Sequence, residues 1–127
     1  ERYVKQDGPL KLLKYWPRPD ANDPNLIEGE VRVEYGGETH TLKATGADAI
    51  AAFVRAVRQL PLPEFHLEEY EEDAIGSSAD AEAVAFVRLQ NNEGDSAFGV
   101  GFGSNIDQAA VRAVTSSLNI LLEPANA

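Results

Sequence analysis

Apolar residues recur along the first half of the chain at every second position and then at helical spacing, and the second half repeats that order. Leu10 to Trp16 is apolar and aromatic enough for a strand, with Pro17, Pro19 and Pro24 placed among Asp and Asn residues to end it. Val31, Val33 and Tyr35 alternate with Arg32 and Glu34, which predicts a half-buried strand. Gly36-Gly37 is a two-residue hairpin signal before a third strand from Glu38 to Lys43. Ile50, Phe53, Val54, Val57 and Leu60 then follow helical spacing, with Asp48 as N-cap and Pro61 and Pro63 closing the far end.

After Pro63 the pattern restarts. Phe65 to Tyr70 reads as a strand, Glu71 to Asp80 as an irregular stretch, and Ala83 to Leu89 as a second strand. Asn91 to Asp95 forms a turn, and Phe98, Val100 and Phe102 alternate with Gly99, Gly101 and Gly103 in a third strand. Ser104-Asn105 caps a last helix running through Ile106, Ala110, Val114, Leu118 and Leu122. The order is βββα twice.

The residues themselves support a duplication. Val54-Arg55-Ala56-Val57 recurs as Val111-Arg112-Ala113-Val114, an offset of 57 positions, and at the same offset Gly46 meets Gly103, Asp48 meets Asn105 and Ala52 meets Ala109. The fold class expected is α+β: duplicated βββα units, two three-stranded antiparallel sheets with helices packed on them, related by a pseudo-twofold axis. Residues 1–9 read as a leader, 10–123 as a single domain of two repeats (10–62 and 63–123), and 124–127 as a tail.

Composition narrows the function classes. The chain has 127 residues, 43% hydrophobic and 25% charged, which suits one globular domain that builds a core. It has no Met, so a C-terminal piece of a longer protein is expected. A net charge of −10 repels phosphate and anionic lipid, so neither nucleic acid nor a membrane surface is an expected partner. The absence of Cys removes disulfides, thiolate nucleophiles and sulfur-ligated metals, and fits a cytoplasmic setting.

Candidate chemistry is sparse. The acidic run Glu64, Glu68, Glu69, Glu71, Glu72 and Asp73 lacks the alternating ligands and central Gly of a calcium loop and reads as a solvated edge. His40 and His66 have no neighbouring ligand residues, and His40 reads as exposed. Gly99, Gly101 and Gly103 miss dinucleotide spacing because Ser104 stands where the last glycine would fall. They read instead as the bare face of a strand that a helix or another backbone approaches closely. No catalytic constellation, metal site or cofactor is expected. The stretch from Tyr70 to Ala83 is rich in small residues. It reads equally as the lining of a small amino-acid pocket, with Asp73 or Asp80 accepting from an ammonium group, or as a turn-rich connection.

The same stretch, Tyr70-Glu71-Glu72-Asp73-Ala74-Ile75-Gly76-Ser77-Ser78-Ala79-Asp80-Ala81-Glu82-Ala83-Val84-Ala85-Phe86-Val87, resembles the C-terminal regulatory domain of the 2-isopropylmalate synthase family. Phe98-Gly99-Val100-Gly101-Phe102-Gly103-Ser104-Asn105-Ile106, the helix ending Ala113 to Asn119, and Asp7-Gly8-Pro9-Leu10 extend the likeness over residues 7–122. The resemblance implies a duplicated βββα fold, a homodimer, leucine as feedback effector, and a catalytic barrel upstream in the same parent chain that condenses acetyl-CoA. Carried over by position, the leucine site would be lined by Ile50, Ala51, Leu67, Tyr70, Ala74, Ala81 and Ala83. An isoleucine-responsive domain of citramalate synthase, or a purely structural dimerisation element, are the alternatives. Gly46-Ala47-Asp48-Ala49 stands where the family often has G-N-G-P, which motivates the second of these.

Overall fold

In a computed structural model, residues 8–75 and 82–122 are described. Six strands and two helices follow in the order β1 (Leu10–Pro19), β2 (Ile27–Tyr35), β3 (Glu38–Gly46), α1 (Ala49–Val57), β4 (Phe65–Ile75), β5 (Glu82–Asn91), β6 (Ser96–Gly103) and α2 (Ile106–Leu121). The strands form two antiparallel three-stranded sheets of order β1-β2-β3 and β4-β5-β6, so the fold is α+β with duplicated βββα units. Lys11–Leu62 forms one compact unit, and Pro63 onward together with the residues up to Leu10 forms the other.

Three expectations need correction. Pro17 does not end the first strand: β1 runs through it and ends at Pro19. The two prolines share a parity in the strand, so their missing N–H groups fall on one side, and β1 is an edge strand whose open side needs no donors. The irregular stretch expected from Glu71 begins later, because Glu71–Ile75 continues β4 as far as the partner of Glu82. Acidic side chains disfavour strands weakly on average, but here they lie on an edge strand and are exposed, as the solvated-edge reading expected. His40 is half-buried rather than exposed.

In the Lys11–Leu62 unit, Val31 and Val33 face a helix whose Phe53, Ala52, Ala56 and Val57 are fully buried. The Tyr15 ring meets Phe53 edge-on at 5.3 Å, and its hydroxyl donates to Ala49 O. The β2–β3 turn is closed by Gly36 and Gly37 at φ 65° and 81°, the paired positive values a two-residue hairpin requires.

In the second unit α2 lies directly on the backbone of β6. A Cβ at Gly101 would run into Ala109 O and Ala113 N, and one at Gly99 into Ala113 O and Ser117 N. The helix therefore reaches a distance that no side chain permits, as the bare glycine face predicted. Its C-terminal half carries Thr115, Ser116, Ser117 and Asn119, all fully buried. Asn119 Oδ1 accepts from Leu10 N at 2.9 Å and its Nδ2 donates to Leu10 O at 2.8 Å, so the amide acts as a one-residue strand partner for the start of β1. Ser117 Oγ donates to Ala97 O and Thr115 Oγ1 to Val111 O.

Candidate functional site

The β4–β5 register decides which candidate residues share a face. Leu67 pairs with Leu89, and after a bulge at Glu68 Tyr70 pairs with Val87, Glu72 with Ala85, and Ala74 with Ala83. Leu67 and Tyr70 are three positions apart and would occupy opposite faces of a regular strand. The extra residue brings them onto one. Leu67, Tyr70, Ala74 and Ala83 thus lie together on the face of the second sheet that α2 covers. The helix packs on β6 and β5 and barely reaches β4. Tyr70 is left half-buried at that margin, with Ala83 buried, Leu67 and Ala74 exposed, and the Tyr70 hydroxyl donating to Glu72 Oε1.

The remaining candidates separate from this group. Asp73 falls on the opposite face of β4, where its Oδ1 accepts from the Ala74 backbone N–H at 2.9 Å. Ile50 and Ala51 are half-buried in the first turn of α1, in the other compact unit. The Ala51 N–H there is taken by Asp48 Oδ1 at 2.9 Å. Asp80 and Ala81 lie outside the described residues.

The two helix starts are built alike. Asp48 Oδ1 accepts from Ala51 N and Asp48 O from Ala52 N; Asn105 Oδ1 accepts from Gln108 N and Asn105 O from Ala109 N. Arg55 Nη1 donates to Thr45 O, and Arg112 Nη1 to Phe102 O, again 57 positions on. They differ in the charge of the cap, a carboxylate in one and an amide in the other, and in Gln108 Oε1, which accepts from Ser104 N at 2.8 Å where the first start has Ala51.

Other polar clusters are local. His66 Nε2 contacts Asn92 Oδ1 at 2.9 Å on the surface, and Asn92 Nδ2 donates to Glu64. Among the described residues no group of His, Asp and Glu gathers as a metal site, and no helix is long and apolar enough to cross a membrane. Sequence reasoning missed the bulge and the Asn119 clamp. Each left a signal: two flagged residues with odd spacing in one strand, and a lone amide inside the apolar run from Leu118 to Leu122.

The profile of the LeuA allosteric (dimerisation) domain matches residues 3–122. The chain belongs to that family. Similar proteins include the 2-isopropylmalate synthases of Corynebacterium efficiens (35% identical, covering 95% of this chain and 20% of that protein) and Pseudomonas syringae pv. tomato (33%, 98% and 21%). That of Rhodospirillum rubrum is 30% identical over 95% of this chain and 22% of its own length. The chain spans about a fifth of the length of the curated relatives it matches. Membership of the family makes this a regulatory and dimerisation domain.

Proposed function

We propose that this chain is the effector-binding and dimerisation domain of a 2-isopropylmalate synthase, with leucine as the effector. The observation that carries the reading is the face shared by Leu67, Tyr70, Ala74 and Ala83, two alanine methyls and a leucine beside one aromatic ring at the margin of α2, with Glu72 between Tyr70 and Ala74. Such a lining suits a branched aliphatic side chain. Ala81, and Ile50 and Ala51 of the other unit, stay in the proposed set on the family resemblance alone, and Asp80 is its candidate partner for the ammonium group. Asp73, on the other face of β4, is dropped from it.

Inhibition works by population shift. Leucine binds one arrangement of a homodimer better than another, and that preference biases the rest of the parent protein, an acetyl-CoA-dependent acyltransferase of the cytoplasm, toward a less active state. In this reading the domain performs no catalytic step and carries no cofactor.

A second reading rests on Asp48. Its carboxylate caps the helix start that would meet the carboxylate of an amino acid, and like charges repel there. That favours a domain that dimerises without an effector. Titration calorimetry of the chain with leucine, isoleucine and valine separates the readings. Heat of binding strongest with leucine supports feedback by leucine, and strongest with isoleucine supports the citramalate synthase alternative. A folded dimer giving no heat with any of the three overturns the ligand claim.

A further inference from the structure

The outer faces of the two sheets, those turned away from the helices, are chemically opposite. On the first sheet Trp16 lies between Lys14 and Arg32, with the cations 5.2 and 5.6 Å from the ring centre. Arg18 bridges Glu28 and Glu30, each at 3.1 Å. On the second sheet Phe86, Phe98 and Phe102 stand 43%, 50% and 43% exposed around Val100.

The registers make this an internal control. Ile27 pairs with Gly46 as Ala83 pairs with Gly103, so β5 follows β2 at an offset of 56 and β6 follows β3 at 57. Phe86 occupies the position of Glu30, Phe98 that of Thr41, Val100 that of Lys43 and Phe102 that of Thr45. The same fold forms with a charged outer face, so folding does not require the apolar one. Exposed patches of this kind mark interaction surfaces.

We infer that the Phe86, Phe98, Val100 and Phe102 face of the second sheet is where two copies of this chain meet. The inference rests on the dimerisation proposed above and names its surface. The charge pattern selects a second copy. On this face the carboxylates of Glu69, Glu71 and Asp73 lie on β4, one edge of the sheet, that of Glu82 lies at the first position of β5, and Glu69 is paired with Arg88 at 3.4 Å. A twofold axis parallel to the strands stacks β6 of one copy over β5 of the other. Each acidic row then stays at the rim in water, and the contact is self-complementary. Three rings of roughly 200 Å² each, about half exposed, supply on the order of 300 Å² of apolar surface per copy. That is the apolar centre of an interface needing about 800 Å² per partner.

The first repeat supplies the test substitutions. Sedimentation equilibrium is run on the 127-residue chain and on the triple variant Phe98→Thr, Val100→Lys, Phe102→Thr, which copies residues the same fold already carries at equivalent positions. The wild type is expected to dimerise, and the variant, with an unchanged circular dichroism spectrum, to dissociate at least 100-fold more readily. In a separate pair of variants, the absence of Cys lets Val100→Cys report directly: a bis-maleimide linker spanning about 10 Å, the separation of packed sheets, is expected to join two copies through it and not through Lys43→Cys on the first sheet. A wild-type dimer whose dissociation the triple variant leaves unchanged, or equal cross-linking from both cysteines, overturns the surface while leaving the dimer reading intact. A wild-type chain that stays monomeric at its highest soluble concentration overturns both and leaves the face to a different partner.

Discussion

Two repeats with the same strand register, the same cap geometry and the same arginine-to-carbonyl bond seat their helices differently. In the first, the positions equivalent to Gly99 and Gly101 are Leu42 and Ala44, and a helix of 9 residues meets the strand backbone at Gly46, where a Cβ would run into Ala52 N, and beyond it packs through side chains. In the second, bare glycines let a helix of 16 residues lie on the strand backbone, with four fully buried polar side chains. Backbone bonding therefore defines the fold, while side-chain volume sets how far apart its layers stand.

The largest expected effect breaks that contrast directly. Gly101→Val should destabilise the chain by about 3 kcal/mol or more in urea denaturation, because Ala109 O and Ala113 N leave no room for the added methyls. Ala44→Val at the equivalent position should change stability by less than about 1.5 kcal/mol. Equal losses at both sites contradict the difference in seating.

Next comes the clamp found in one repeat alone, where Leu62 stands in the other at the position of Asn119. Asn119→Ala removes both hydrogen bonds to Leu10, and stability should fall by about 2–4 kcal/mol as a buried N–H and C=O lose a partner. Amide exchange at Leu10 should accelerate with it, and unchanged exchange there would count against the clamp.

The shared features should behave as a matched pair. Asp48→Ala and Asn105→Ala should each lower stability by about 1 kcal/mol, measured by thermal unfolding, since each cap satisfies one helix N–H. Smaller still, Arg55→Ala and Arg112→Ala should each change stability by about 0.5 kcal/mol, because both guanidinium groups are solvent-exposed. A large effect from one arginine and none from the other would show that the repeats are less alike than their hydrogen bonds.

Most of this architecture was legible in the sequence because periodicity and punctuation agree there. The alternation of Val31, Val33 and Tyr35, the Gly36-Gly37 turn and the caps at Asp48 and Asn105 all fall where local rules place them. Pro17 misled, while Pro19 does end β1, because the effect of a proline depends on whether a strand lies at an edge, which is a property of the sheet rather than of the segment. Glu71 to Asp73 misled for the same reason, since acidic residues tolerate a strand whose neighbours are on one side only. Of the candidate site, Leu67, Tyr70, Ala74 and Ala83 were named from a family resemblance, but their common face depends on the bulge at Glu68. Alternation alone puts Leu67 on the wrong side.

Effector binding to the helix-side face of the second sheet is the central claim, and an NMR titration of the chain with leucine tests it most directly. Shifts are expected at the amides of Leu67, Tyr70, Ala74 and Ala83, with smaller changes at Phe86 and Phe98 on the opposite face. Shifts confined to the Phe86 and Phe98 face, or no shifts at saturating leucine, would contradict it.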